Sequence, residues 1–518
     1  MSLVEFRTWS QRFAIGLQKA GLKPGDRVLL FSGNNLFFPV AFMGILMAGG
    51  IFTGANPGFV SRELAYQLKD SEATFLLCAD AALEIGIEAA TSIGMKKESI
   101  FIFDDELFEG TGPERLGIRN WKELVAPLDD KTTSFEWYEP SDPKEMTCCL
   151  NYSSGTTGVP KGVEITHFNY VSNATQYKFI ATLDPNYEEK NSKAKWICFL
   201  PMYHAMAQTI FISVAVRRQV PVYIMKKFDF IQVLESVQKF KITALTMVPP
   251  IVVALAKHPA TKKYDLSSII DITSGAAPLT GDVIEEAEAL WPTKDRTLQQ
   301  GWGMTEATCA VMGWDPNRQN LSGSVGELHA NCFAKIMDSE GKTEVPAGER
   351  GEIWVQGPNI MKGYWRNPGA TRETLVDDRD GRWLRTGDIA FINPSGYFFI
   401  VDRIKELIKV KGNQVAPAEL EGVLLEHPGI ADACVVGVTI NGEEVPRAYV
   451  VPRQGKTPDI KEVESWMAGR VSRFKRLVGG VVLADGIPKN PSGKILRKIL
   501  RERAKEEVGD RELERAKL

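Results

Sequence analysis

The residues of this chain best suited to chemistry run from Tyr152 to Gly162, in the order Tyr152-Ser153-Ser154-Gly155-Thr156-Thr157-Gly158-Val159-Pro160-Lys161-Gly162. Gly155 and Gly158 permit backbone torsions that bring N–H groups close to an anion. Ser153, Ser154, Thr156 and Thr157 add hydroxyl donors, and Lys161 supplies a point charge. Such a loop suits a polyphosphate, although a flexible surface loop draws on the same small residues. It is not the loop of the P-loop NTPases, which needs four residues between its glycines and a Ser or Thr directly after the Lys; here Gly162 follows.

Four further segments could complete a nucleotide site. Gln299-Gln300-Gly301-Trp302-Gly303-Met304-Thr305-Glu306 brackets an aromatic ring with glycines, so that it can lie against a planar group such as adenine. Thr305 and Glu306 then offer the oxygens that Mg²⁺ prefers beside phosphates. The alternative is a tight turn with an exposed Trp. Arg385-Thr386-Gly387-Asp388 sets a carboxylate after a turn glycine, where it could accept both hydroxyls of a ribose, or simply form a turn. Val401 to Gly412 carries Arg403, Lys405, Lys409 and Lys411, a run that is more often a solvated face. Pro488-Lys489-Asn490-Pro491-Ser492-Gly493-Lys494 predicts a turn with Lys494 at its tip.

The elements that must position these groups read as α/β layers. Apolar strand-like runs at 27–31, 73–79, 99–103, 196–200, 220–225, 244–248 and 269–273 alternate with amphipathic helices, and 147–151 reads as a buried strand leading into the Gly/Ser/Thr loop. From Gly326 to Ile400 shorter β-rich segments between glycine turns predict a barrel-like or curved-sheet subdomain. After Asp402 a basic segment leads into a compact tail with its own strands at 433–438 and 448–451. The predicted fold is therefore α/β, with a large N-terminal domain (1–401) of two α/β subdomains plus a β-rich one, and a small mobile α+β C-terminal domain (402–518).

The 518 residues exceed what one hydrophobic core usually serves. With 62 Lys+Arg against 65 Asp+Glu, the net charge of −3 gives no electrostatic reason to expect nucleic acid or an anionic membrane as partner. Seven scattered cysteines, without a Cys-x-x-Cys pair, fit a reducing compartment without structural zinc. The longest apolar stretch, Leu36 to Gly50, is too short for a membrane span, contains Pro39 and reads as a core helix. The start lacks the features of a secretory signal. Ala516-Lys517-Leu518 differs from the Ser-Lys-Leu address by one small-for-small exchange and predicts a peroxisomal import receptor as partner; unread, it would leave the protein cytoplasmic.

In order and spacing these segments resemble the adenylate-forming superfamily of acyl-CoA synthetases, 4-coumarate-CoA ligases, firefly luciferases and nonribosomal-peptide adenylation domains, over nearly the whole chain. The likeness is strongest to the 4-coumarate-CoA ligase-like branch, through Leu200-Pro201-Met202-Tyr203-His204, Ser274-Gly275-Ala276-Ala277-Pro278 and Gln414-Val415-Ala416-Pro417-Ala418-Glu419-Leu420-Glu421. The resemblance implies that a carboxylate attacks the α-phosphorus of ATP to form an acyl-adenylate and pyrophosphate, after which the thiol of coenzyme A displaces AMP. By the same likeness Ser153 to Thr157 and Lys161 would cradle the β- and γ-phosphates, Thr305 would reach the α-phosphate and Glu306 would hold Mg²⁺. Asp388 and Arg403 would bind the ribose, and Ala276, Gln300, Gly301 and Trp302 would line the adenine and adenylate site. Lys494 would span the substrate carboxylate and α-phosphate in the first step.

The resemblance further implies a hinge at Lys405, about which the small domain rotates so that Lys494 leaves and its opposite face enters. Lys409 and Gln414 would then serve the thioester step, Lys411, Gly412 and Lys227 would contact coenzyme A, and His204 would gate the thiol tunnel. The acyl pocket would be lined by Met206, Gly275, Gly301, Gly303, Cys309 and Ala310. Plant hydroxycinnamate ligases follow the gate His with Ile-Tyr and line the far wall with Gly-Pro-Val; Ala205-Met206 and Thr308-Cys309-Ala310 stand here. A buried phenol would lose a partner at a cost of about 1–3 kcal/mol, so the expected acid is a less polar aryl acid or a medium- to long-chain fatty acid. Three alternatives share most of these features: a luciferase-like oxygenase, an adenylation enzyme loading a carrier protein in trans, and an inactive nucleotide- or acyl-binding protein.

Overall fold

The computed structural model describes residues 1–105, 112–129, 132, 134–153, 160–277, 279, 281–291, 296–410, 413–440, 442–490 and 493–508, with the backbone alone at Asp282 and Gln414. Ser154 to Thr157, Lys411, Gly412 and the tripeptide at 516–518 therefore lie outside the described residues.

The first sheet has eight strands, in the order Gly363–Tyr364, Lys161–Thr166, Thr147–Ser153, Ile51–Ala55, Arg27–Phe31, Ala73–Ala79, Ile100–Phe103 and Arg119–Asn120. From Thr147–Ser153 onward the neighbours run parallel, and such a sheet must be covered on both faces. Val28 and Leu30 accordingly join a core with Phe13 and Phe42 of the helices Leu3–Lys19 and Phe38–Met47. Leu29 and Phe31, pointing the other way, pack with Leu64 and Leu83 of Ser61–Ser71 and Leu83–Ser92. The 36–50 stretch is thus a core helix, with Pro39 in its first turn, where the missing N–H costs nothing.

A second, five-stranded parallel sheet runs Leu298–Gln300, Asp271–Ser274, Ala244–Met247, Trp196–Cys198, Val222–Ile224. These strands are shorter than the apolar runs, and after Met247 the chain turns into Pro249-Pro250, which line the cleft described below. A third, antiparallel sheet of Phe333–Met337, Gly351–Gln356, Gly381–Ile392, Leu375–Asp378 and Phe398–Arg403 is the β-rich region expected after Gly326. Its last strand continues through Arg403, which pairs with Asp388.

Beyond it the cores are separate. Two apolar clusters, one around Leu420, Val435 and Val450 and the other around Val436, Tyr449 and Leu500, draw every member from residue 408 onward. They lie on the two faces of Ile430–Ile440, Glu443–Pro452 and Val481–Leu483, with the helices Pro417–Leu425, Ile460–Ala468 and Arg497–Val508. Arg497 is clamped by Glu421 through contacts of 2.6 and 2.7 Å. Among the described residues no helix is long and apolar enough to cross a membrane.

Trp121 is the largest fully buried side chain of the first core, ringed by Phe13, Phe37 and Phe103 at centroid distances of 5.3, 5.2 and 5.0 Å, and its indole N–H donates to the Asp104 carbonyl. We expect Trp121→Ala to cost about 3–5 kcal/mol, measured as a lower urea midpoint with an unchanged slope.

Candidate active site

Three parallel strands of the second sheet end together, and their carboxyl ends supply one wall of a cleft. The register sets Met247 beside Ser274 and Ser274 beside Gln300, so Val248-Pro249-Pro250, Gly275-Ala276-Ala277 and Gly301-Trp302-Gly303 emerge side by side. Gly275 N–H donates to the Met247 carbonyl (3.2 Å) and Gly301 N–H to that of Ser274 (2.9 Å). Ligands of open α/β sheets bind at such carboxyl ends. Close fits fix the backbone. A side chain on Gly303 would strike the Cys309 carbonyl at 1.9 Å. Ala276 and Thr308 sit at φ +74° and +66°, conformations an L residue, above all a β-branched one, adopts only under constraint. Thr308 is held by its hydroxyl donating to the Asn359 carbonyl (2.7 Å).

The opposite wall comes from the third sheet and the last hundred residues. Together they enclose a cavity of about 540 Å³ lined by Ala276, Gln300, Trp302, Asp388, Arg403 and Lys494, among others. The Trp302 indole N–H donates to Asp388 Oδ2 at 2.9 Å, and Arg403 Nε lies 3.1 Å from Oδ1. Trp302 is only 8% exposed, so the alternative of a turn with an exposed Trp does not hold. Burial raises the Asp388 carboxyl above the usual range, opposed by Arg403, Trp302 and Lys494.

Lys494 reaches this cavity from a self-contained turn. Asn490 Oδ1 accepts from Lys494 N–H (2.9 Å), and Asn490 N–H donates to the Lys494 carbonyl (2.9 Å). Gly493, at φ +78°, lets the turn press against the first wall, where an added Cβ would come within 2.9 Å of Val248. The Lys494 ammonium is pushed down to about 8, first by burial and then by Arg403, while Asp388, Glu406 and Glu306 oppose the shift.

Glu306 is a further buried carboxylate near Lys494, 6% exposed. Its Oε1 accepts from Ser153 Oγ (2.9 Å) and from Tyr364 OH (3.0 Å), and Lys161 Nζ lies 5.1 Å above the Tyr364 ring. Ser153 ends the strand that feeds the Gly/Ser/Thr loop, and Lys161 begins the strand that leaves it. Among the described residues, both hydrogen bonds to the Glu306 side chain fall on Oε1. A carboxylate whose other oxygen has no hydrogen bond from the described residues, beside the strand ends that flank the Gly/Ser/Thr loop, has the chemistry to hold Mg²⁺, which keeps most of its waters.

The expected acyl wall also assembles. Met206 Sδ lies 3.3 Å from where a Gly275 Cβ would be, and Cys309 and Ala310 are buried behind Gly303. His204 precedes Met206; burial pushes its imidazole down to about 4, so it is neutral near pH 7, and its Nε2 has no hydrogen-bond partner among the described residues. The helix His167–Thr182 backs this wall, with Asn173 Nδ2 donating to the Ala310 carbonyl (2.8 Å) and Tyr177 OH 3.5 Å from Cys309 Sγ.

Other expected site residues are not brought together. Lys409 is exposed on the hairpin Ile408–Val410 and Asn413–Val415, its backbone N–H donating to Glu444, and the backbone of Gln414 is its register partner. Lys227 is exposed beyond the strand Val222–Ile224. Lys405 follows the end of Phe398–Arg403 and is exposed. Sequence reasoning did not find Tyr364, Tyr177 or Glu352. Tyr177 has a faint signal, lying seven residues after Tyr170 and four after Asn173 on the inward helix face; the other two act through contacts distant in sequence.

Comparison with known proteins assigns the family. Residues 1–365 match the family described as AMP-binding enzyme, and residues 419–494 match the AMP-binding enzyme C-terminal domain. The 4-coumarate-CoA ligase 1 of Petroselinum crispum is 39% identical over 509 residues, covering 95% of this chain and 87% of the relative. The phenylacetyl-CoA ligase epaB of Aspergillus niger is 36% identical over 511 residues, covering 97% and 91%. ATP-bound MatB from Rhodopseudomonas palustris superposes with a TM-score of 0.83 at 27% identity, over 97% of this chain and 93% of that one. The apo form of MatB gives 0.72 at 26% identity, over 98% and 94%. With its two halves matched and its cleft built as described, the chain belongs to the AMP-binding enzymes of the adenylate-forming superfamily, near the 4-coumarate-CoA ligase branch, and is an AMP-forming acid-CoA ligase.

Proposed function

We propose that the chain activates a less polar aryl or acyl acid in two half-reactions catalysed by opposite faces of its last hundred or so residues. The observation that carries this reading is the placement of Lys494 in the cavity beside Asp388, while Lys409 is exposed outside it. In the first half-reaction the acid's carboxylate attacks the α-phosphorus of ATP and pyrophosphate leaves. Negative charge gathers between the two reacting groups, where the Lys494 ammonium and the Thr305 hydroxyl stabilise it. Asp388 and Arg403 hold the ribose, and Ala276, Gln300, Gly301 and Trp302 receive the adenine and adenylate. Ser153, Lys161 and Glu306 face the β- and γ-phosphates, and Mg²⁺ held at Glu306 would neutralise part of their charge. In the second half-reaction the thiol of coenzyme A attacks the acyl carbon and AMP leaves.

The two steps need different cations at one cleft, and rotation about Lys405, just after the third sheet ends at Arg403, would exchange them. The better superposition on ATP-bound than on apo MatB supports reading the present pose as the adenylating one. We take residues 1–401 as the nucleotide-holding domain and 402–518 as the mobile one. Gln414 and Lys409 would enter for the thioester step, with Lys227, Lys411 and Gly412 on coenzyme A and the neutral His204 at the thiol passage. Met206 in place of a phenol-binding Tyr, together with a relative named for phenylacetate, which has no ring hydroxyl, supports a less polar acid. A peroxisomal destination through Ala516-Lys517-Leu518 suits either an aryl or a fatty acid.

A panel of aryl and fatty acids, assayed for pyrophosphate release with and without coenzyme A, tests the activity; AMP release without a thioester would favour an oxygenase instead. We expect Lys494→Ala to slow adenylation by about 10²–10³-fold while leaving thioester formation from supplied acyl-adenylate intact, and Lys409→Ala to do the reverse. The ammonium of Lys494 is the working form, so kcat/KM for adenylation should be level below pH 8 and fall as pH rises through about 8. Bound triphosphate favours the cation, so the fall in kcat should lie at higher pH, and Lys494→Arg should flatten both profiles. Fusion of the last dozen residues to a fluorescent reporter should direct it to peroxisomes; diffuse cytosolic signal would refute the address.

A further inference from the structure

The strand Gly381–Ile392 does not pair evenly with Gly351–Gln356. Glu352 faces Ile389 and Trp354 faces Arg385, so Thr386, Gly387 and Asp388 together stand opposite Ile353. This bulge frees Asp388 from the ladder with Gly351–Gln356, while it still pairs with Arg403 on the other side, and its carboxylate lines the cleft, as bulges do beside binding sites. It also deprives several backbone groups of their ladder partners, and buried N–H groups must find others. Thr386 settles one, its hydroxyl accepting from Asp388 N–H (3.1 Å) and donating to the Ile353 carbonyl (2.7 Å). The Gly387 N–H is settled by a side chain from the neighbouring strand, donating to Glu352 Oε1 at 3.0 Å.

Glu352 is buried, and its other oxygen accepts from Arg385 Nη2 at 3.2 Å, so one carboxylate grips the bulge at Arg385 and at Gly387. Gly387 is at φ +70°, and its carbonyl accepts from Ile404 N–H (2.8 Å), next to the proposed hinge. A charged acceptor holds an N–H about twice as strongly as a neutral one. Gly387, the residue directly before Asp388, is therefore fixed at its N–H by Glu352 and at its carbonyl by Ile404.

We propose that Glu352 is a positioning residue for ribose recognition, fixing through Gly387 the direction in which Asp388 presents its carboxylate. The inference rests on the reading of Asp388 as the ribose ligand. It makes no contact with the nucleotide, and its effect passes entirely through the bulge.

The test compares adenylation with ATP and with 2′,3′-dideoxy-ATP, which lacks both ribose hydroxyls. Glu352→Gln keeps the shape but removes the charge and sets an amide against Arg385. We expect KM for ATP to rise about 10-fold with kcat within about twofold, and kcat/KM for the dideoxy nucleotide to change by less than about twofold. A merely structural role would lower both substrates alike, and that outcome, or an unchanged KM for ATP, would overturn the proposal. Glu352→Asp, which keeps the charge but shortens the reach, should show the same nucleotide-selective pattern and carries the comparison if the glutamine variant does not fold. Asp388→Asn is the reference: should it weaken ATP and dideoxy-ATP equally, the ribose reading itself fails, and the proposal with it.

Discussion

Burying the carboxylate of Asp388 in the cleft creates a demand that three distant parts of the chain meet together. A charge removed from water must be paired and hydrogen-bonded or it is costly. Trp302 brings an indole N–H from the end of a parallel strand, Arg403 brings a guanidinium from the last strand of the antiparallel sheet, and Lys494 adds its charge from a turn of the carboxy-terminal region. The attraction runs both ways: Asp388 and Glu306 oppose the burial that lowers the Lys494 ammonium. The second sheet, the third sheet and the last hundred residues therefore meet where they do in part because one buried anion requires it. In the reading proposed here, that anion also receives the ribose.

The same economy appears in the strained backbone around the cleft. Thr308 and Ala276 hold left-handed torsions, and Gly303 leaves no room for a methyl group against the Cys309 carbonyl. Such conformations persist only where the surroundings over-determine them. Here the surroundings are buried amides: Asn359 donates to the carbonyls of Ala307 and Ala310, and Asn173 to that of Ala310. The wall behind Gly303 is held because its backbone groups are satisfied by side chains from other elements, and in the proposed reading Met206 is the adaptable face of the acyl pocket.

The carboxy-terminal unit has a different relation to the rest. Its two cores share no buried residue with those of the first four hundred, and its own parts are tied by Arg497 with Glu421 and by Arg501 with Glu406. Against the large body it presents a small turn whose tip, Gly493, rests on Val248. In the reading proposed here, a unit with its own cores and internal ion pairs is what lets a two-step ligase with one cleft change orientation without unfolding.

Much of this was legible in the sequence because it depends on neighbours along the chain. The alternation of Val28 and Leu30 with Leu29 and Phe31 announces a strand covered on both faces, and the apolar run around Pro39 announces a helix core. The Gly/Ser/Thr loop, the Gly-Trp-Gly segment and the Asn490 to Lys494 turn could be read as parts of a nucleotide enzyme, since residue type and spacing decide what a loop can bind. What the sequence could not decide were pairings that folding creates between residues far apart. Trp302 meets Asp388 across 86 residues, Ser153 meets Glu306 across 153, and Glu352 meets Gly387 across 35. A side chain's type states that it needs a partner, but only the tertiary structure, by bringing strand ends and a bulge into one buried space, determines which partner it finds.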